Sequence, residues 1–141
     1  MPHHFKLIPV SRLVIAGLLV LLAACASKPE PDRLVLLGDA QAEGNVEQQV
    51  ALARALLADP EVKGDLRTDL GDILAAAGQT EAALSAYHRV LTAASAETPP
   101  NFAYQIDLRA RMAEIALDAG DTVRATEEIG AAARLARIHL G

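Results

Sequence analysis

From residue 33 onward, apolar residues recur at intervals of three and four, which is the period of an amphipathic α-helix. No useful length of this region alternates with the period of two that marks a half-buried strand. Glycine and proline break the pattern into six segments. We therefore predict helices at about residues 33–42, 46–58, 65–77, 80–94, 102–118 and 122–138.

The ends of these segments carry local signals for helix boundaries. Gly44, Gly78 and Gly120 each end one helix and lead within two residues into the next, so the two helices fold back as an antiparallel hairpin. Four residues with short polar side chains precede apolar runs, and we predict that they cap the helices there: Asp65, Thr80, Asn101 and Thr122.

The three turn glycines also define a repeat. Gly44 and Gly78 are 34 residues apart, and Gly78 and Gly120 are 42 apart, which is the same period with an insertion of eight. The tetratricopeptide repeat (TPR), a helix–turn–helix unit, has a period of 34. The middle unit resembles that family at Leu70-Gly71, Leu74, Gly78, Ala83, Tyr87 and Val90-Leu91. The last unit matches less well and the first is degenerate, as expected for the ends of a stack.

This resemblance implies an all-α domain at residues 33–141, built as an α-solenoid of about three TPR-like hairpins. An ordinary antiparallel helical bundle is the alternative. Gly71 is small where two helices would cross closely, and Tyr87 would fill space between units. The eight-residue insertion brings Phe102 and Tyr104, which we predict to fill the join between the second and third units; binding of a partner is their alternative role.

The first 24 residues (1–24) have the layout of a secretory signal peptide. A basic start precedes an uncharged run of twelve residues, which is too short for a permanent transmembrane helix. Leu22-Ala23-Ala24-Cys25 then resembles the lipobox of bacterial lipoproteins. That resemblance implies export, cleavage before Cys25, and acylation of Cys25, including palmitate, as a lipid anchor. Residues 25–32 would comprise the lipidated cysteine and a tether stiffened by Pro29 and Pro31.

The residue after the cysteine bears on which membrane holds the protein. Ala26 stands where the lipoprotein family's inner-membrane retention signal would place Asp. The resemblance therefore implies anchoring in the outer membrane, with the domain facing the periplasm; the inner membrane is the alternative. Several acyl chains would hold the protein there durably, since a single chain gives only marginal binding.

Composition narrows the classes of function. The 141 residues suit one domain, and their hydrophobic content of 52% comes mostly from Ala and Leu, which favours helix. A single Cys excludes a disulfide framework and a Cys-rich zinc site. The formal net charge of −5 argues against binding to nucleic acid, which would need a basic face.

The chain carries no pattern typical of catalysis, such as a phosphate loop, a nucleophile elbow or a paired-histidine metal motif. Ser85 and His88 share a helical face, but no carboxylate follows to orient the imidazole. Asp65, Asp69 and Asp72 lie on a helix rather than in a calcium loop. We therefore expect no enzyme activity, no metal, no cofactor beyond the covalent lipid, and no small-molecule substrate.

In the repeat family, the first helix of each hairpin lines a groove. The resemblance assigns that surface to Asp65, Thr68, Asp69, Asp72 and Ala75 in the middle unit and to Asp107, Ala110, Glu114, Leu117 and Asp118 in the last. The family's carboxylate-gripping members have basic and amide side chains at these places, whereas this chain has acids. Such a groove would favour a basic or neutral segment and repel acidic ones. A solvated acidic face that only keeps the domain soluble is the alternative.

Taken together, the resemblances predict a lipid-anchored, non-catalytic TPR-like adaptor or scaffold that recruits another protein of the bacterial cell envelope. Lipoproteins of this repeat type often assist assembly of pili, secretion channels or other outer-membrane machines, which is the implied setting. One alternative is a small structural subunit of an envelope complex, with Leu135, Ile138 and Leu140 at its interface. Another is an accessory subunit of a cell-wall enzyme that supplies no catalytic residue.

Overall fold

A computed structural model of the chain describes residues 32–139 and residue 141. That part of the protein is helical, without a strand. Its helices are α1 (Arg33–Ala42), α2 (Val46–Leu57), α3 (Gly64–Ala76), α4 (Thr80–Ser95), α5 (Phe102–Asp118) and α6 (Thr122–His139). The predicted all-α class is confirmed, and each predicted helix is present to within one residue at either end.

The predictions for the N-terminal region fall mostly outside the described residues. They include the signal peptide, the lipidated Cys25 and all of the tether except Asp32. Leu140, which was predicted to lie at an interface, is also outside them. Across residues 32–139, none of the helices combines the length and the hydropathy that crossing a bilayer requires.

The helices pack chiefly on their neighbours in the chain, from α1 on α2 through to α5 on α6. Short turns join α1 to α2, α3 to α4 and α5 to α6, so the described helices form three hairpins. Packing limited to consecutive units is the arrangement of a helical-repeat stack, in which each unit contacts the next. The predicted solenoid of three hairpins agrees with this packing.

Each hairpin turns at the glycine that the sequence indicated. Gly78 has a φ of +71°, a left-handed conformation that other residues adopt at a cost. The following Gln79 amide donates a hydrogen bond to the Leu74 carbonyl at 2.8 Å, which closes the end of α3. Gly44 and Gly120 adopt the same conformation at the ends of α1 and α5. The three turn glycines of the predicted repeat, which are 34 and 42 residues apart, therefore share one left-handed turn geometry.

One of the four predicted helix caps is confirmed. The Asn101 side chain accepts a hydrogen bond from the Tyr104 amide at 3.0 Å. The prediction is wrong for three residues that already lie in the first turn of their helices: Asp65, Thr80 and Thr122. Before α6 it is Asp121 whose carboxylate accepts from the Arg124 amide, at 3.0 Å. A cap needs a residue outside the helix, so an offset of one position removes the role.

The core is centred on the middle hairpin. Leu70 and Leu74 of α3 are fully buried, and Tyr87 of α4 packs in the same cluster. A Cβ atom placed on Gly71 would lie 3.0 Å from two ring carbons of Tyr87, because the two helices approach closely there. The predicted close crossing at Gly71 is therefore confirmed. The cluster continues into α5 through Met112 and others, which joins the second and third hairpins.

The two aromatic residues of the insertion behave differently. Tyr104 is half-buried against the core that links the second and third hairpins, as predicted. Phe102 instead stacks on His139, with ring centroids 3.6 Å apart and planes 3° from parallel. These residues are the first of α5 and the last of α6, so Phe102 lies at the open end of its own hairpin rather than at the join.

Candidate functional site

The first helices of the three hairpins share a row of clefts, which we call the first-helix groove. One cleft lies between α1 and α3, a second lies between the same two helices beside the start of α2, and a third, of about 530 Å³, lies between α3 and α5. The cleft between α1 and α3 has apolar walls, which include Leu34, Leu37 and Ile73, and it also has acidic side chains. Asp72 lines all three clefts and is therefore central to the groove.

Asp72 is held by residues from two other helices. The Tyr87 hydroxyl of α4 donates to its Oδ1 atom at 2.8 Å. Arg111 of α5 donates to the same oxygen from Nε at 3.0 Å and from Nη2 at 2.9 Å. The remaining side of Arg111 donates from Nη1 to Glu114 at 2.8 Å. A single polar network thus crosses from α4 through α3 to α5.

The environment fixes the protonation of this network. Burial, followed by the hydrogen bond to Asp72, raises the pKa of Tyr87 to about 12, so its hydroxyl remains a donor at physiological pH. Hydrogen bonds to Glu114 and then to Asp72 raise the pKa of Arg111 above its already high ordinary value. The guanidinium therefore stays charged and neutralises part of the acidic surface.

The sequence interpretation missed the charged groove residue Arg111, and it also missed the apolar wall of Leu34, Leu37 and Ile73. Arg111 brings Asp72 and Glu114, both predicted groove residues, to one cation. Two signals in the sequence could have indicated it. Arg111 precedes Glu114 by three positions, which places the two on one helical face, and it occupies the place that Asp69 holds in the previous unit, 42 residues earlier.

The other predicted groove residues are distributed along the same helices. The Asp65 carboxylate accepts from the Tyr104 hydroxyl at 3.5 Å, and its carbonyl accepts from Thr68 at 2.8 Å. Burial and the charge of Asp65 raise the pKa of Tyr104. The three remaining predicted groove acids are exposed to solvent. Asp69 lines the cleft between α1 and α3, Asp118 lines the cleft between α3 and α5, and Asp107 lies on α5. After Arg111 is counted, the groove remains acidic.

The remaining candidate chemistry is sparse. Over residues 32–139, His, Cys, Asp and Glu side chains form no group of three or more that could hold a metal ion. Ser85 and His88 line one cleft together with Glu81 and Glu127. Among the described residues, no hydrogen bond joins the Ser85 hydroxyl to the imidazole, so the two do not form a nucleophile–base pair in this conformation.

Comparisons with protein-family models, with curated protein sequences and with solved structures find no match to this chain. The tetratricopeptide and lipoprotein resemblances therefore stay predictions. The interpretation of the groove depends on its own geometry and charge.

Proposed function

We propose that this chain is a lipid-anchored, non-catalytic adaptor of the bacterial cell envelope that holds another protein in its first-helix groove. The observation that carries the proposal is the row of clefts along α1, α3 and α5, with apolar walls and exposed acids. A groove of this kind suits a peptide segment, because apolar contacts supply affinity and a few polar groups fix orientation.

The charge of the groove favours one kind of segment. Arg111 is already paired with Asp72 and Glu114, so it offers little attraction to an acidic ligand. The exposed carboxylates of Asp69 and Asp118 instead attract lysine or arginine side chains. The preferred partner is therefore a protein with a basic or neutral segment, and an acidic segment is repelled.

The lipid anchor would give the groove its setting. The lipobox-like Leu22-Ala23-Ala24-Cys25 supports acylation of Cys25 and attachment to the outer membrane, facing the periplasm. Confinement to a membrane raises the local concentration of the groove near membrane-bound partners. Assembly of pili, secretion channels or other outer-membrane machines is the setting that the repeat-type lipoproteins suggest.

A different surface favours a second candidate, a structural subunit of an envelope complex. Helix α6 leaves Val123, Ile129 and Ile138 more than half exposed. Val123 and Ile138 lie roughly 60° apart around the axis of α6, so they share a face that suits packing against another protein, whereas Ile129 lies on a different face. The predicted interface residue Leu135 lies half-buried on the same helix.

Site-specific photo-crosslinking in intact cells separates the two candidates. A photoreactive amino acid replaces Gln41, which lines two clefts of the groove, or Val123 on α6 of the full-length protein. The adaptor predicts a discrete adduct from the groove probe, and the double charge reversal Asp69→Lys with Asp118→Lys decreases its yield about tenfold. The matched control is the double reversal Glu47→Lys with Glu127→Lys, at two exposed carboxylates that line none of the groove clefts, and it leaves the yield unchanged. Adducts that form only from the α6 probe support the structural subunit and contradict the adaptor.

Lipid attachment is tested by metabolic labelling with a palmitate analogue. The wild-type chain incorporates the label and floats with outer-membrane vesicles, whereas the Cys25→Ala variant does neither. Equal labelling of both proteins would contradict the assigned anchor.

A further inference from the structure

A second cleft lies away from the first-helix groove, between the second helices α2 and α4. Its volume is about 280 Å³. Three arginines line it, and each comes from a different helix: Arg54 from α2, Arg67 from α3 and Arg89 from α4. Ser85 contributes a hydroxyl, and the remaining lining residues are apolar: Leu57, Ala58, Ala82 and Ala86. We call this site the arginine cleft.

Arg67 is a fixed part of the cleft. It is 6% exposed, and its guanidinium donates to the Val62 carbonyl from Nε at 2.9 Å and from Nη2 at 2.6 Å. Weaker bonds reach the carbonyls of Leu57 and Asp59 at 3.4 Å. All of these acceptors are neutral, so they hold the side chain without cancelling its charge. Burial, followed by the charge of Arg89, lowers the pKa of Arg67.

The other two arginines are also without a carboxylate partner in the part of the chain that the structure describes. Arg54 donates to the side-chain oxygen of Gln79, which is uncharged. Arg89 is exposed, and residues 32–139 provide no acid within ion-pair distance of it. Three arginines of the third hairpin differ in this respect, because each forms an ion pair with a carboxylate at 2.8 to 2.9 Å. They are Arg109, Arg111 and Arg124.

Three uncompensated guanidinium groups in one cleft repel one another, and an oxyanion between them relieves that repulsion. Guanidinium groups bind phosphate through short, charge-assisted hydrogen bonds, often two per arginine. A tetrahedral dianion presents acceptors in several directions, so it can contact Arg54, Arg89 and the Ser85 hydroxyl from opposite walls of the cleft. A carboxylate is planar and carries a single negative charge, so it attracts the arginines less and presents hydrogen-bond acceptors in fewer directions.

We propose that the arginine cleft between α2 and α4 binds a phosphate group, presented by a free phosphate, a phosphate monoester or a phospholipid headgroup. The site is independent of the first-helix groove, so either can be wrong without the other. Its residues belong to a protein with a formal net charge of −5, whose overall field would not attract an anion. The local arrangement of the arginines is what provides the attraction.

Calorimetric titration of the full-length chain in uncharged detergent micelles tests this site with inorganic phosphate as the probe. We expect saturable binding below about 10 mM phosphate. Arg54→Gln and Arg89→Gln each weaken it about tenfold, because each removes a charge-assisted bond. The control Arg134→Gln deletes the same charge from the exposed surface of α6 and leaves the affinity unchanged. Thermal unfolding of every variant verifies that the fold is retained.

Two further titrations identify the source of the phosphate. Micelles that contain phosphatidic acid are compared with micelles that contain diacylglycerol, which lacks only the phosphate. A phospholipid headgroup is identified if the protein binds phosphatidic acid but not diacylglycerol, and if Arg54→Gln and Arg89→Gln weaken that binding. A soluble ligand is identified if only inorganic phosphate binds. The proposal is overturned if neither probe binds, if acetate binds as tightly as phosphate, or if Arg134→Gln has the same effect as Arg89→Gln.

Discussion

Replacement of Gly71 by alanine tests the close crossing of α3 and α4 with a single added methyl group. The new Cβ would lie 3.0 Å from Cδ2 and Cε2 of Tyr87 and 3.4 Å from the Cβ of Ala86. Carbon atoms attract each other best at about 3.5 to 4.0 Å, so the ring must move. The Tyr87 hydroxyl is bonded to Asp72 at 2.8 Å, which restrains that movement.

Two opposing effects determine the size of the change. Alanine is favoured over glycine inside a helix by about 0.5 to 1 kcal/mol. Overpacking of a tight core costs about 1 to 3 kcal/mol. We therefore expect Gly71→Ala to lower the free energy of unfolding by about 0.5 to 2 kcal/mol. Gly38 provides the matched control, because it lies in α1 with no heavy atom within 4 Å of its added Cβ. Gly38→Ala should therefore stabilise the protein by about 0.5 to 1 kcal/mol.

Urea denaturation followed by circular dichroism measures both variants, and a double-mutant cycle tests the cause. Tyr87→Phe keeps the ring but releases it from Asp72, so the ring can tilt away from the new methyl group. The cost of Gly71→Ala should then fall by at least about 0.5 kcal/mol in the Tyr87→Phe background. The reasoning is refuted if Gly71→Ala stabilises the protein as much as Gly38→Ala does.

Three further predictions address the core, the polar network and a helix cap. Leu74→Ala should lower the free energy of unfolding by about 2 to 5 kcal/mol in urea, because the side chain is fully buried; a smaller loss would contradict the packing. The raised pKa of Tyr87, about 12, means that the folded state keeps a proton that the unfolded state releases near pH 10. The contribution of Tyr87 to the free energy of unfolding should therefore be complete below about pH 10 and decrease as the pH rises toward 12. Absorbance at 295 nm of the Tyr104→Phe variant, which reports Tyr87 alone, should titrate near 12 rather than 10. Asn101→Ala should lower the free energy of unfolding by about 1 kcal/mol, as measured by thermal unfolding, because it removes the cap of α5. An unchanged unfolding temperature would show that the cap does not stabilise the helix.

The helices and their order could be predicted from the sequence because the signals for them are local. Gly44, Gly78 and Gly120 each determine a turn within six residues of chain, through a left-handed φ and the hydrogen bonds around it. Amphipathic periodicity then fills the intervals between turns. Capping was less predictable, because Asp65 lies only one residue inside α3, and that difference depends on where the first helical turn closes.

The partners within the site could not be predicted in the same way. Asp72 and Arg111 are 39 residues apart, and only the packing of α3 beside α5 brings them together. The resemblance to the repeat family implied which helices line the groove, but it did not indicate which opposite charges meet there. The arginine cleft was even less predictable, because its three arginines come from three helices and have no regular spacing in the sequence: Arg54, Arg67 and Arg89.

The net charge of −5 hides two surfaces of opposite sign. The helices that line the first-helix groove, α1, α3 and α5, carry seven acidic residues and four arginines. One of those arginines, Arg67 of α3, lies with Arg54 and Arg89 in the arginine cleft, where none of the three has a carboxylate partner in the described part of the chain. Electrostatic attraction falls off over about 8 Å at physiological ionic strength, and a helix with its side chains is about 10 to 12 Å wide. The two proposed sites, one for a basic peptide and one for a phosphate, would therefore act largely independently within one small acidic domain.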